Sequence, residues 1–435
     1  MPAAGRKSLS RSLEIEHAEF TENTAPLLIY DATASIRHAR FHYNGTGDDA
    51  TDESWDCCAG AITAVGSRVV VQDSEFIGNR SQGFGGAVNA LGTRLTLQRS
   101  LFSHNRARVG GAVFSWAHAI GHEAWSDTVG DHLSPALALH RVRFLENEAD
   151  IGGGAIAWAG PVSGDSATFA RNVAESGGAL AHWQSFSLPP DFAQAAKDLV
   201  AMTAAAPQSL TLARGVFVDN IAQQQGAAIG AGPARVALGN ALVARNRLRT
   251  TSAMGAAIEA QEFDVANGTV IDNVSGGLRL LAGGGKASIQ NTVLLRNGTY
   301  GCQLPGSQLV TATGSVQFPS ADCAGVPVAD PQIDDTYRPV LDGLASHAGN
   351  LAICISASLV AGLDLNSVSR GTRGTCAAGA YEPDPRLDPV TGWSGETGHW
   401  LRYIAFWLIL LALFAGILFF YMRKRRHTAP CRRRL

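Results

Sequence analysis

Short apolar runs recur along this chain, and each ends in an asparagine. The asparagines are Asn23, Asn44, Asn79, Asn105, Asn147, Asn172, Asn220, Asn246, Asn273 and Asn297. Most are followed by a small-residue run that opens another apolar stretch. The clearest copies read Phe76-Ile-Gly-Asn79 with Gly85-Gly-Ala-Val88, and Phe102-Ser-His-Asn105 with Gly110-Gly-Ala-Val113. Phe144-Leu-Glu-Asn147 with Gly153-Gly-Ala-Ile156 and Phe169-Ala-Arg-Asn172 with Gly177-Gly-Ala-Leu180 follow the same form. The apolar position falls at residues 20, 41, 76, 102, 144, 169, 217, 243, 270 and 294, and six of the nine intervals lie between 21 and 27. Between the signatures sit alternating runs such as Arg68-Val-Val-Val71, Arg94-Leu-Thr-Leu97, Leu210-Thr-Leu212 and Lys286-Ala-Ser-Ile289. A two-residue period is strand-like, and a fixed longer period is the mark of a solenoid. The pattern predicts an all-β chain: a right-handed parallel β-helix of about ten or more coils.

The residue types fit that expectation. One coil cannot bury its apolar face alone, so neighbours stack, with equivalent positions about 4.8 Å apart. The Phe residues at the apolar position then stack inside the tube. The asparagines are expected to form a structural ladder, each amide donating to one neighbouring coil and accepting from the other. Asn also tolerates left-handed backbone, so it is expected to sit at the bend itself.

Phe-x-x-Asn followed by Gly-Gly-Ala-Ile/Val/Leu resembles the repeat of polymorphic outer-membrane proteins and related pectin-lyase-like β-helix proteins, over roughly residues 13–300. The resemblance implies fold more than function, because this fold carries enzymes, adhesins and inert scaffolds. Residues 301–382 change character. They contain Asp330-Pro331, Tyr337-Arg-Pro339, Asp364-Leu-Asn-Ser-Val-Ser-Arg370 and Gly379-Ala-Tyr-Glu382, similar to the choice-of-anchor Q type of C-terminal module. Ala377-Ala378 stands where that module usually has Asp-Ile, and Asn366-Ser367 occupies its usual Asp/Gly positions. The resemblance implies a closing coil over the open end of the solenoid.

Residues 383–402 read as a Pro/Gly-containing linker. Residues 403–422 are almost wholly apolar and uncharged, long enough for one transmembrane helix. Arg423, Lys424, Arg425, Arg426 and residues 432–434 follow, so the tail at 423–435 is expected in the cytoplasm and the β-helix outside. The expected setting is therefore the cell envelope. Residues 1–12 contain no apolar run and are no secretory signal. The expectation is an unstructured start, with the true N-terminus upstream or the copy truncated.

The whole chain carries −2, residues 421–435 contribute seven Lys/Arg, and residues 1–420 therefore carry −9. An acidic ectodomain argues against nucleic acid as a partner. Export also suggests disulfides. Cys302–Cys323 and Cys354–Cys376 pair by position, while the adjacent Cys57 and Cys58 leave free thiols, a vicinal disulfide or bonds elsewhere all open.

Candidate chemistry lies mainly in insertions. Asp48, Asp49, Asp52, Glu53 and Asp56 could supply oxygens to Ca²⁺, though they match no EF-hand spacing and a solvated acidic loop is the favoured reading. His118 and His122 lie four apart, but not as His-Glu-x-x-His. Phe192, Ala195, Leu199 and Met202 share one face of a predicted helix within residues 188–209. Trp116, Trp158 and Trp183 follow the glycine runs of successive coils. Trp116 and Trp183 share a parity that Trp158 lacks, which makes those two candidates for stacking on sugar rings, with packing in the core or against an insertion as the favoured alternative. Asp219 and Asp272 precede ladder asparagines with no third acid beside them, so no catalytic residue is assigned. The functional expectation is a scaffold that touches polysaccharide or another surface protein without catalysis and without a cofactor. The competing expectations are a polysaccharide lyase or glycoside hydrolase, and a truncated remnant of a longer surface protein.

Overall fold

The computed structural model describes residues 11–24, 27–45, 60–117, 136–187, 208–250, 255–283, 285–304, 309–372 and 374–383. They form a parallel β-helix. Each coil places strands on several faces, and each strand pairs in parallel with its equivalent in the next coil. One face is an 11-stranded sheet running from Glu19–Thr21 to Val316–Phe318, and a five-stranded sheet forms a shorter face. The two remaining faces join into one 19-stranded sheet. They join because Ile229–Gly239 and Ile258–Ala266 run unbroken from one face to the other. The coils continue one rung beyond residue 300, through Val316–Phe318. Sequence reading missed that rung because Gln317 replaces the usual apolar residue and no asparagine follows it.

Register explains the period. Phe20, Phe41, Phe76, Phe102, Phe144, Phe169 and Phe217 are successive partners. Their rings stack nearly parallel inside the tube, 4.6–5.1 Å between centroids. Strand spacing sets this separation, and it lies within the ordinary range for aromatic pairs. Phe144 is fully buried between Phe102 and Phe169. Replacing it with Ala should cost about 3–5 kcal/mol, the usual penalty for a large buried cavity. Phe144→Leu should cost about 1.5 kcal/mol or less. Chemical denaturation of the two variants checks the ranking.

The ladder is continuous. Asn79 Nδ2 donates to Asn105 Oδ1 at 2.9 Å and to the Phe41 carbonyl at 2.8 Å, while its backbone N–H donates to the same Oδ1 at 3.0 Å. The arrangement repeats through Asn273 and Asn297. The bend, however, is not made by these asparagines. The left-handed residue is the one before each: His104, Glu146, Arg171, Asp219, Arg245, Asp272 and Arg296, all with φ between 48° and 57°. A ladder asparagine needs both its backbone N–H and its amide aligned with the stack, so the strained position moves outward by one. Left-handed backbone costs such side chains about 1–2 kcal/mol each.

The C-terminal segment lies along a flank of the last coils instead of only covering their end. Leu242, Ala244, Ile271, Val293 and Leu295 face outward from the 11-stranded sheet and pack against Ala345 and Ala378. At a second corner, Asn240, Asn267 and Asn291 are left-handed and receive the segment. Asn267 Nδ2 donates to the Ala377 carbonyl at 3.2 Å, Asn291 Oδ1 accepts the Asn350 N–H at 2.7 Å, and Asn240 Oδ1 accepts from Arg370. The outer face of this sheet turns apolar in these coils, which is why a flanking cover is needed there.

Among the described residues, no helix is long and apolar enough to cross a membrane. Residues 403–422 and the basic tail lie outside the described residues. So do the acids from Asp48 to Asp56, Cys57 and Cys58, His118 and His122, and residues 188–207.

Candidate functional site

Insertions single out one face. The strands opened by the glycine runs include Ile62–Val65, Val88–Leu91, Val113–Trp116, Ile156–Ala159 and Leu180–His182. At one edge of this face the described residues stop at Ala117 and resume at Ala136 on the neighbouring face, and they stop again at Ser187 and resume there at Gln208. Two further departures, after Gly45 and after Thr250, occur at its opposite edge. Insertions that gather on one face of a solenoid commonly mark its binding surface.

Strand parity divides the tryptophans. Trp158 points into the tube with the main core. Trp116 and Trp183 point outward into a separate cluster with Val65, Leu91, Phe114 and Ile151, their ring centroids 5.5 Å apart. They are 2 % and 8 % exposed. Both rings are covered, so neither presents an open stacking face. Among the described residues, the Nε1 atoms of Trp116 and Trp183 and Oδ1 of Asn89 are buried without a hydrogen-bond partner. Beside them, buried His182 contacts Gln208 through Nε2 at 2.8 Å. Burial pushes its pKa down to about 4, so it is neutral at pH 7.

Farther along the same face lies a group that sequence reading missed. Glu259, Arg279 and Gln303 are register partners on successive coils. Glu259 is 1 % exposed. Its Oε1 accepts the N–H groups of Gly226 at 2.7 Å and Ala256 at 3.0 Å, and Oε2 lies 3.2 Å from Arg279 Nη1. Upstream, the matching glycine N–H finds a carbonyl in the next coil, as Gly177 does in Gln225. The carboxylate substitutes for that carbonyl where the chain departs after Thr250. The readable signal was Glu259 in Gly-Ala-Ala-Ile-Glu, at the position of Asn89, Phe114 and Ala157 in earlier coils.

Burial raises the Glu259 pKa, and the two N–H groups and Arg279 only partly oppose this. An acid with a folded pKa above its unfolded value binds protons preferentially in the folded state. Its stabilising contribution is therefore complete below about 4.5 and is lost as pH rises through the folded value. Glu259→Gln should flatten the decline of stability above that point, read by thermal melts from pH 4 to 8. An unchanged slope would exclude Glu259 as its source. Tyr300 is pushed up to about 12, by burial first and by Glu259 second.

Asp219 and Asp272, the acids considered from sequence that fall among the described residues, are held in pairs, and so is Asp73. Asp219 accepts two hydrogen bonds from Arg245, both 2.8 Å, and Asp272 is paired the same way with Arg296 at 2.8 and 3.1 Å. Asp73 sits against Arg99, whose hydrogen bonds, with one from Gln72, hold its pKa down to about 2. Disulfides join Cys302 to Cys323 and Cys354 to Cys376. Among the described residues one group has donor atoms close enough for a metal: Cys354, Cys376 and Glu382. The two thiols are joined to each other and Arg370 holds Glu382 at 2.7 Å, so this donor set does not suit a cation.

Fold and face together define a parallel β-helix with one insertion-bearing side. No family model, curated protein or solved structure matches the chain.

Proposed function

We propose that this protein is an exported β-helix scaffold of the cell surface, anchored in the membrane by residues 403–422, with its coils outside and its C-terminus in the cytoplasm. It contacts polysaccharide or another surface protein without catalysis. One observation carries the reading: the long insertions attach along the edges of a single face. Two disulfides agree with an oxidising compartment, and the sequence resemblance to polymorphic outer-membrane proteins agrees with a surface role. The paired state of Asp73, Asp219 and Asp272 favours contact over acid/base chemistry, which needs converging free carboxylates.

The competing reading, a polysaccharide lyase or hydrolase, draws on Glu259 beside Arg279. One oxygen of that carboxylate already accepts two backbone N–H groups, which favours a structural role. The test uses residues 11–383 from an oxidising host, incubated with neutral and acidic polysaccharides with and without Ca²⁺. The expected result is retention on a polysaccharide matrix with no new reducing ends and no unsaturated-uronate absorbance. Turnover would overturn the scaffold reading. Loss of retention on Ca²⁺ removal would bring Asp48, Asp49, Asp52, Glu53 and Asp56 into the site.

A further inference from the structure

The C-terminal end of the solenoid carries unpaired strand edges beside exposed apolar surface. Cys302–Gln303 and Leu309–Thr311, the last strands of two faces, pair on one side only among the described residues. Val316–Phe318 is followed by a single bridge, Gln317 to Val328. Such edges present rows of backbone N–H and C=O groups able to pair with another chain. Next to them lies a cavity of about 600 Å³ bounded by Ala312, Val316, Gly325, Pro327, Leu344 and Ala348. Around it Val328 is 50 % exposed, Leu344 42 %, and Phe318 and Val340 36 % each. Acids predominate there: Asp330, Asp334, Asp335 and Asp342 outnumber Arg338 and the coil residue Arg296, which lies within electrostatic reach of Asp330 and Asp335.

We propose that this end docks an extended peptide segment of a partner protein, apolar at its centre and basic at its flanks. The segment adds a strand to the Leu309–Thr311 edge and seats one bulky apolar side chain in the cavity, a mode in which backbone pairing supplies affinity and the pocket supplies specificity. A second copy of this chain is a poorer occupant. Its first strands, Arg11–Glu16 and Glu19–Thr21, carry Glu14, Glu16 and Glu19 against one Arg11, so end-to-end stacking would set acid against acid. The proposal does not depend on the polysaccharide reading.

The test titrates the full-length chain, in detergent, against a fluorescent peptide of alternating Thr and Val with a central Phe and lysines at both ends. Saturable binding that weakens with salt is expected. A version with glutamates at the ends should bind at least about tenfold more weakly. Leu344→Arg should also weaken binding about tenfold, with no loss of thermal stability because the position is exposed. Asp335→Lys, also at an exposed position, should remove most of the salt dependence. No binding, equal binding of the glutamate version, or indifference to Leu344→Arg overturns the proposal. A concentration-dependent dimer that the peptide does not displace assigns the end to a second copy and overturns it as well.

Discussion

Asn147→Ala should be among the most damaging single substitutions in the coils, costing about 3 kcal/mol or more. In the native ladder Asn147 Oδ1 accepts from both the backbone N–H and Nδ2 of Asn105, at 3.0 and 2.9 Å. Its own Nδ2 donates to the Phe102 carbonyl and to Asn172 Oδ1, both at 3.0 Å. Truncation strands two donors of Asn105 and one carbonyl in a fully buried corner. Each buried group without a partner costs about 1–3 kcal/mol. Asn147→Asp keeps the acceptor but points a second oxygen at the Phe102 carbonyl and Asn172 Oδ1. It should be worst at neutral pH and partly recover in acid, where the carboxyl protonates. Asn23→Ala is the control: Asn23 is exposed, donates among the described residues only to Asn44 Oδ1, and should cost about 1 kcal/mol or less. Urea denaturation followed by circular dichroism ranks the three. Equal midpoints for Asn147→Ala and Asn23→Ala would mean that the ladder adds no stability.

Arg370→Ala should release the C-terminal segment while leaving the coils folded. The Arg370 side chain is fully buried. Its guanidinium donates to Asn240 Oδ1 at 2.9 and 3.1 Å, to the carbonyls of Leu363, Ala377 and Gly379, and to Glu382 at 2.7 Å. It thus ties three parts of the segment to a corner residue of the solenoid. Removing one partner of a buried pair costs about 3–5 kcal/mol, because the other charge is left uncompensated. Glu382 is already pushed up by burial, and Arg370 is the largest influence opposing that shift. Arg370→Lys should rescue little, since an ammonium cannot reproduce the planar fork. Hydrogen exchange should show protection lost across residues 319–383 and retained in the coils upstream, as expected for a locally opening unit. Uniform loss along the whole chain would show that the segment and the coils unfold together.

Most of the solenoid was legible in the chain because it rests on repetition. Phe-x-x-Asn recurs because each coil must present the same apolar wedge and the same amide to the next, and parallel stacking turns sequence period directly into register. The same parity argument separated Trp116 and Trp183 from Trp158. It could say which side of a strand a ring takes, not whether that side is covered. Burial of the pair is a property of what lies over the face. Asp219 and Asp272 likewise looked like isolated acids in sequence, because the arginines that hold them belong to the next coil.

The sequence by itself determined the strand period, the asparagine ladder and the stacked phenylalanines. All of these follow from contacts repeated one coil apart. The tertiary structure alone decided that the left-handed bend falls one residue before each asparagine, since the amide must keep its alignment along the stack. It alone placed Glu259 where a backbone carbonyl is missing. It also set residues 319–383 along the flank of the coils, through contacts such as Asn267 to Ala377 and Asn240 to Arg370, separated by 110 and 130 residues. Contacts that occur once, across such distances, leave no period in a chain.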